Sequence, residues 1–153
     1  ADRARLYSPA PSKKEDATVT LVDAGPLVAI LDRNDVGHRR CVKMVASLAA
    51  PLVTTWPAFT EAMYLVGQRG GWTAQDGLWR LVLRGSLAVH SLESGLLRRA
   101  RELMRRYRDL PMDLADATLV AFAEANRISQ VFTLDRDFRV YRLHGRKAFD
   151  IVP

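Results

Sequence analysis

The sequence has little cysteine, little histidine and no long hydrophobic run, and these shortages exclude several classes of protein. Its one cysteine, Cys41, cannot form an internal disulfide, which is typical of a reducing cytoplasm. Because Cys41 lies in an apolar phase of the chain, we expect buried packing rather than a nucleophile. No segment approaches the roughly 20 apolar residues of a membrane span, and the N-terminal segment lacks the apolar core of a secretory signal. We therefore expect a cytoplasmic protein without a membrane partner.

The motifs of several common enzyme classes are also missing. The three histidines, His38, His90 and His144, are scattered and do not show metal-binding spacing, so we expect surface or loop positions for them. The sequence contains neither a Gly-x-Ser-x-Gly nucleophile elbow nor a Gly-x-x-x-x-Gly-Lys phosphate loop. These absences argue against a serine hydrolase of that type and against a P-loop nucleotide hydrolase.

Basic residues, in contrast, are abundant. The 153 residues carry a net charge of +6, which favours contact with a polyanion such as nucleic acid. Six arginines crowd the segment LLRRARELMRRYRD, on the outward face of a predicted helix. They could form a solvated surface, contact phosphates or dock an acidic partner segment. Arg33, Arg39 and Arg40 lie closer in sequence to Asp23 and are better candidates for contacts with substrate phosphates.

Short apolar segments alternate with helical patterns after a polar N-terminal stretch. Strands are predicted at residues 18–22, 52–55, 86–90, 129–133 and 149–152, and helices at residues 27–31, 39–49, 57–68, 74–84, 92–107 and 113–126. The pair Gly70-Gly71 should separate the third helix from the fourth. We expect a flexible tail over residues 1–17 and one α/β domain over residues 18–153. The alternation predicts a three-layer α/β/α sandwich with a central, mostly parallel sheet.

Four acidic residues stand where these apolar segments begin or end. Asp23 follows the first strand, Asp135 follows a later one, and Glu61 and Asp116 lie early in helices. Strand ends and the helix starts that follow them open on the same edge of a parallel sheet. A partly dehydrated carboxylate is costly unless something compensates its charge, as a shared divalent cation would. The sequence therefore predicts a metal-binding cluster of these four acids.

Each acid also has a purely structural interpretation. Asp23 could cap the helix that follows it, and Glu61 could simply face solvent. A carboxylate early in a helix, such as Asp116, is favoured by the helix dipole, and Asp135 could shape a turn. Four coincidences on one edge of a sheet weigh against four independent structural roles.

The order and local contexts of the four acids resemble the PIN-domain family of metal-dependent ribonucleases, and among them the VapC-type toxins of toxin–antitoxin pairs. The motifs are VDAGPLVAILDRND, TTWPAFTEAMYLV, LPMDLADATLVAFAE and VFTLDRDF, and the resemblance runs from about Thr18 to the C-terminus. It implies that the four acids form a metal-binding and catalytic quartet. Thr133 matches a small polar position beside the last acid, and Asp113 and Asp137 are additional acids around the site.

The resemblance implies an endoribonuclease that cleaves RNA with water activated by Mg²⁺ or Mn²⁺, leaving a 5′-phosphate and a 3′-hydroxyl. Asp23 and Asp116 are our choice for direct ligands. Glu61 would bind a second metal or orient the attacking water, and Asp135 would complete the site. A small antitoxin protein and a homodimer are the implied partners, with the apolar helical segments 58–66 and 78–83 packing the dimer. We expect the three tryptophans in core or interface packing.

Three alternatives remain open. A phosphatase with an aspartyl nucleophile also has an acid after its first strand, but its usual second acid is replaced here by Gly25. The same fold could serve an RNA-processing nuclease outside any toxin–antitoxin pair. It could also serve a non-catalytic module that binds nucleic acid or protein.

Overall fold

A computed structural model describes residues 17–153, and its centre is a parallel sheet. Within these residues, five strands pair in the order β3-β2-β1-β4-β7, and every pair is parallel. The strands are β1 (Thr20–Val22), β2 (Leu52–Thr55), β3 (Leu87–His90), β4 (Gln130–Phe132) and β7 (Asp150–Val152). The predicted central parallel sheet is therefore confirmed, whereas the predicted tail falls, apart from its last residue, outside the described residues.

Helices cover both faces of this sheet. The described chain contains α1 (Ala24–Leu31), α2 (His38–Ser47), α3 (Trp56–Leu83), α4 (Ser94–Arg106) and α5 (Leu114–Asn126), and a short 3-10 helix (Arg136–Arg139). Neighbouring strand residues point to opposite faces, so Leu21 packs with α4 and α5 while Val22 packs with α1, α2 and α3. The sheet is therefore the middle layer of the predicted three-layer sandwich.

The longest helix, α3, is broken at Gly71. This residue has φ 58° and ψ −152°, a backbone conformation that is essentially restricted to glycine. A Cβ atom at Gly71 would meet nothing within 4 Å, so the backbone conformation itself is what requires glycine here. The predicted separation of two helices at this point is confirmed. The predicted gap between them is wrong, because the second helix begins directly after the break.

A small hairpin at the C-terminal end was not predicted as such. The strands β5 (Arg142–Leu143) and β6 (Lys147–Ala148) pair antiparallel outside the main sheet. In the turn between them, Gly145 has a φ of 71°. The two-residue strands are too short to produce a recognisable alternation in the sequence.

Buried and exposed residues agree only partly with the predictions. Cys41 is fully buried, as expected for packing. Trp79 packs against Phe59 in the core, with the ring centroids 5.3 Å apart. Trp56 and Trp72, however, expose 42% and 68% of their surface, so these two do not lie in the core of the chain, and interface packing stays a prediction for them. In residues 17–153 no helix combines the length and the apolarity that crossing a bilayer requires.

The apolar residues expected to pack a dimer mostly face the core of the same chain. Ala58, Ala62 and Val66 of α3 are buried, and so is Leu78 further along this helix. Ala62, Val66 and Leu78 pack in the cluster that also contains Val22, and Ala58 packs in the cluster that contains Leu21. Their apolarity in the sequence is therefore explained without a partner.

The order of the strands determines where a site can form. The chain passes from β1 to β2 and β3 on one side, while β4 and β7 lie on the other side of β1. The direction of winding thus changes between β1 and β4. In open α/β sheets, ligands bind outside the carboxyl ends of the strands at such a switch point.

Candidate metal centre

Three acidic side chains converge at the carboxyl ends of β1 and β4. Asp23 directly follows β1, Asp135 follows β4, and Asp116 lies in the first turn of α5. One carboxylate oxygen from each residue lies within 4.8 Å of the others. The structure therefore brings three of the four predicted acids into one cluster at the switch point.

Glu61 faces the same space without joining this tightest group. It lies in the second turn of α3 and lines a cavity of about 200 Å³ together with Asp23, Asp113, Asp116 and Asp135. We call this space the acidic cavity. All four predicted acids thus contribute to one cavity, and Asp113 adds a fifth carboxylate.

Hydrogen bonds fix Asp23 at the centre of the cluster. Its Oδ1 accepts from the backbone N–H of Ala24 at 2.7 Å, and its Oδ2 accepts from the Thr133 hydroxyl at 2.9 Å. The Thr133 hydroxyl oxygen also accepts from the backbone N–H of Asp135, at 3.0 Å. Thr133 therefore ties the segment after β4 to the acid that follows β1.

Several of these acids also cap helices, so the structural interpretation and the shared cavity coexist. Asp23 is the N-cap of α1, and Asp113 caps α5 by accepting from the backbone N–H of Asp116 at 2.8 Å. Asp135 accepts from the backbone N–H of Asp137 at 2.9 Å and begins the 3-10 helix. Capping fixes the position of each carboxylate at the edge of the cavity. The Asp137 side chain does not line the cavity.

Tyr141 contacts the cluster and was missed in the sequence. Its hydroxyl donates a hydrogen bond to Oδ2 of Asp116 at 2.8 Å, and the side chain is fully buried. The rings of Tyr107 and Phe138 pack edge-on against it, with centroids 5.1 and 5.2 Å away. A buried tyrosine usually has a polar partner for its hydroxyl. This rule can be applied only when a tyrosine is known to be buried, and the sequence around Tyr141 does not indicate burial.

Three acids of the cavity, Asp23, Glu61 and Asp116, resist ionisation. Burial raises the pKa of Asp116 to about 8, with a further increase from the charge of Asp23. Burial likewise raises the pKa of Asp23 to about 6, against the hydrogen bonds from Ala24 and Thr133 that lower it. The pKa of Glu61 is raised by burial and by the charge of Asp113. The charged forms of these groups therefore lack sufficient compensation from the protein.

No cationic side chain supplies that compensation. Among residues 17–153, the ion pairs involve other acids, and no lysine, arginine or histidine lies within 4.0 Å of an acidic oxygen in the cavity. In this described part, Oδ1 of Asp116 and Oδ2 of Asp135 also accept no hydrogen bond from protein groups. An all-carboxylate set of donors with free oxygens fits a hard divalent cation such as Mg²⁺ or Mn²⁺.

The arginines predicted to contact phosphates do not line the acidic cavity. Arg33 lines a different cavity, together with Arg69. Arg40 donates a hydrogen bond to the carbonyl oxygen of Pro153 at 3.2 Å, and Arg39 is exposed in the same turn of α2. Their contact with a substrate stays a prediction.

Comparison with known proteins identifies the family. The family model of the PIN domain matches residues 20–143. The chain is 27% identical over 134 residues to Ribonuclease VapC26 of Mycobacterium tuberculosis, a match that covers 87% of this chain and 99% of that protein. The predicted resemblance to PIN-domain proteins of the VapC type is confirmed.

Solved structures share the fold at low sequence identity. VapC20 of Mycobacterium tuberculosis, described as a toxin that cleaves the sarcin-ricin loop, has a TM-score of 0.74 at 22% identity, over 79% of this chain and 93% of that chain. VapBC2 of Rickettsia felis, bound to a promoter DNA fragment, has a TM-score of 0.63 at 10% identity, over 89% of this chain and 100% of that chain. A toxin–antitoxin complex from Klebsiella pneumoniae has a TM-score of 0.57 at 18% identity, over 78% and 89%.

The family model spans most of the chain, and the three-layer fold agrees with it. The chain belongs to the PIN-domain family.

Proposed function

We propose that this protein is a divalent-metal-dependent endoribonuclease and the toxin of a toxin–antitoxin pair. The observation that supports the activity is the convergence of Asp23, Asp116 and Asp135 within 4.8 Å, with no cation of the described chain to neutralise them. The relative VapC26 is named a ribonuclease, and VapC20 is described as a toxin that cleaves RNA of the sarcin-ricin loop. RNA as substrate agrees with the net charge of +6 and implies action in the cytoplasm.

The proposed reaction is hydrolysis of an RNA phosphodiester bond. Bound Mg²⁺ or Mn²⁺ would stabilise negative charge on the phosphate oxygens and lower the pKa of water. Asp23 and Asp116 are the proposed direct ligands, because they are the buried acids of the cluster. Glu61 lines the same cavity from α3, where its carboxylate would orient the attacking water or hold a second cation. Asp135 would complete the site.

An exposed apolar surface beside the acidic cavity is the basis for proposing protein partners. An open trough of about 720 Å³ is lined by Trp56, Tyr64 and Leu114 and shares Glu61 and Asp113 with the acidic cavity. Exposed apolar surface of this kind marks interaction sites. We propose that a second copy of the chain covers this trough and that a small antitoxin binds to the resulting dimer. Two of the solved relatives are described as toxin–antitoxin assemblies.

The first prediction concerns cleavage. With Mg²⁺ or Mn²⁺, the wild type should cleave RNA, and Asp23→Asn and Asp116→Asn should each lower the rate on the order of 100-fold or more, as expected when a group that stabilises charge in the transition state is removed. Asp76→Asn is the matched control, because Asp76 pairs with Arg80 on the surface of α3. Equal rates in all four proteins would exclude the proposed site.

The second prediction concerns metal and pH. Between about pH 4 and 8 the folded chain holds the proton of Asp116, whose pKa is near 8, while the unfolded chain releases it. The unfolding free energy of the metal-free protein should therefore fall as the pH rises, by at most ~1.4 kcal/mol per pH unit for one such proton.

Metal competes with this proton, so millimolar Mg²⁺ should raise the melting temperature more at pH 8 than at pH 5. At a Mg²⁺ concentration 100 times the dissociation constant, binding should add ~2.7 kcal/mol to the unfolding free energy. Thermal melts with Mg²⁺ and with a chelator measure both effects. Asp116→Asn should lose the metal-dependent shift, and a wild type that melts identically with and without metal at both pH values would contradict metal binding.

The third prediction concerns Tyr141. Tyr141→Phe keeps the ring packing but removes the hydroxyl that orients Asp116, so metal affinity or activity should fall about 10- to 100-fold. Titration with Mn²⁺ and RNA cleavage measure the two quantities. Tyr107→Phe is a suitable control, because its hydroxyl accepts from the backbone N–H of Arg142 instead. If the two variants behave alike, the contact with Asp116 has no special role.

The fourth prediction concerns assembly. The wild type should be a dimer at micromolar concentration by light scattering, and Tyr64→Glu should shift it toward monomer, because the new charge would be desolvated in the apolar trough. Leu83→Glu is the control, since Leu83 is exposed but does not line the trough. A wild type that remains monomeric over this range would contradict the proposed dimer.

A further inference from the structure

Arginines from two separate segments meet beside the candidate metal centre. Arg105 and Arg106 end α4, while Arg142 and Arg146 belong to the β5–β6 hairpin. A Cβ atom on Gly145 would lie 2.8 Å from Nη1 of Arg106, so this guanidinium lies directly against the hairpin turn. We call Arg105, Arg106, Arg142 and Arg146 the arginine surface.

Contacts with neutral groups hold two of these arginines in place. The guanidinium of Arg142 donates to the carbonyl oxygens of Arg139, Val140 and Tyr141 at 2.7, 3.0 and 2.9 Å. The guanidinium carbon of Arg106 lies 5.7 Å from the centre of the Tyr107 ring. Ordered side chains lose less entropy when they bind a ligand, so these arginines are prepared for a contact.

Ion pairs do not neutralise the arginine surface, although Glu124 accepts a hydrogen bond from the backbone N–H of His144 in the hairpin turn at 2.8 Å. In residues 17–153 none of its four members forms an ion pair, and the acids that contact α4 arginines, Glu102 and Glu124, both pair with Arg99. Like charges held together by the fold repel one another. An anionic ligand that spans several of them would remove this repulsion.

Two packed tyrosine side chains connect Arg106 to the acidic cavity. The Tyr107 ring packs against the Tyr141 ring, and the Tyr141 hydroxyl reaches Asp116. The end of α4 is also linked to the Asp113 cap by a tight turn, in which the Met112 N–H donates to the Tyr107 carbonyl oxygen at 3.1 Å. An RNA strand with one phosphate in the cavity could therefore place neighbouring phosphates on the arginine surface.

We propose that the arginine surface binds backbone phosphates of the RNA on one side of the bond to be cleaved. The proposal rests on the proposed ribonuclease function. The acidic cavity alone repels a polyanion, so binding requires cations next to it, and guanidinium groups match phosphate oxygens with paired donors. An acidic protein segment is the competing ligand. RNA is favoured because the packed rings of Tyr107 and Tyr141 connect Arg106 to Asp116 in the cavity, where a phosphate would be cleaved.

The test measures RNA binding without cleavage. In an Asp116→Asn background, binding of a single-stranded RNA is measured over a series of salt concentrations, with and without Arg106→Gln and Arg146→Gln together. The slope of the logarithm of the binding constant against log salt is negative. Two lost phosphate contacts should make it less steep by about 1.4, since each contact on a single strand contributes about 0.7. Affinity at low salt should fall at least tenfold.

The control removes the same charge elsewhere. Arg80→Gln with Arg84→Gln changes two arginines whose side chains contact Asp76 and Ser86 instead. This control should leave the salt slope unchanged, and thermal melts establish that both double variants are folded. If the Arg106/Arg146 variant keeps the original slope and affinity, or if the control loses as much, the proposal is wrong.

Two further measurements distinguish this proposal from binding of an acidic protein and from the proposed ribonuclease function. If the Arg106/Arg146 variant loses binding to polyglutamate but keeps binding to RNA, the surface docks an acidic protein and the proposal is overturned. In a second outcome, the double variant loses RNA binding as predicted but the wild type does not cleave RNA with Mg²⁺ or Mn²⁺. This result would support the arginine surface and contradict the proposed ribonuclease function.

Discussion

The mutual repulsion of carboxylates at the carboxyl ends of β1 and β4 is the constraint on which this structure depends. Asp23, Asp116 and Asp135 are brought together by strands and helices that are otherwise packed through apolar residues. The fold tolerates them because backbone N–H groups and the hydroxyls of Thr133 and Tyr141 donate hydrogen bonds to them, and because the starts of α1 and α5 carry partial positive charge. These groups orient the acids without neutralising them, which leaves the remaining charge for a cation.

The acidic cluster and the excess of basic residues therefore occupy different parts of the molecule. A small acidic cavity is set into a chain with a net charge of +6, and no arginine of the described residues lines this cavity. A basic surround draws a polyanion to the protein from a distance, whereas the acids act only at short range. Attraction of a polyanion would thus depend on the basic residues and binding of a cation on the acids. The two groups of residues do not neutralise each other.

The parts of this arrangement that could be predicted are those with a local signal. Asp23 and Asp135 follow short apolar strands, so the sheet edge on which they lie follows from strand direction alone. The break at Gly71 could be predicted because two adjacent glycines interrupt a helical pattern.

What could not be predicted depends on contacts between distant segments. Tyr141 is 25 residues from Asp116, and its role depends on burial that several packed elements create together. The greater distance of Glu61 from the cluster, and the exposure of Trp56, likewise depend on how α3 lies against α5.

The pairing of β4 with β7 has a consequence for the order in which the site assembles during synthesis. Thr133, Asp135 and Tyr141 are all translated after Asp23, Glu61 and Asp116, and the backbone N–H of Thr133 is held by the carbonyl of Val152 at 3.0 Å. A nascent chain that has not yet reached these residues contains most of the acids but neither the groups that orient them nor the strand that supports β4. For the proposed ribonuclease, the acidic cluster is thus completed only when translation of this domain is nearly finished.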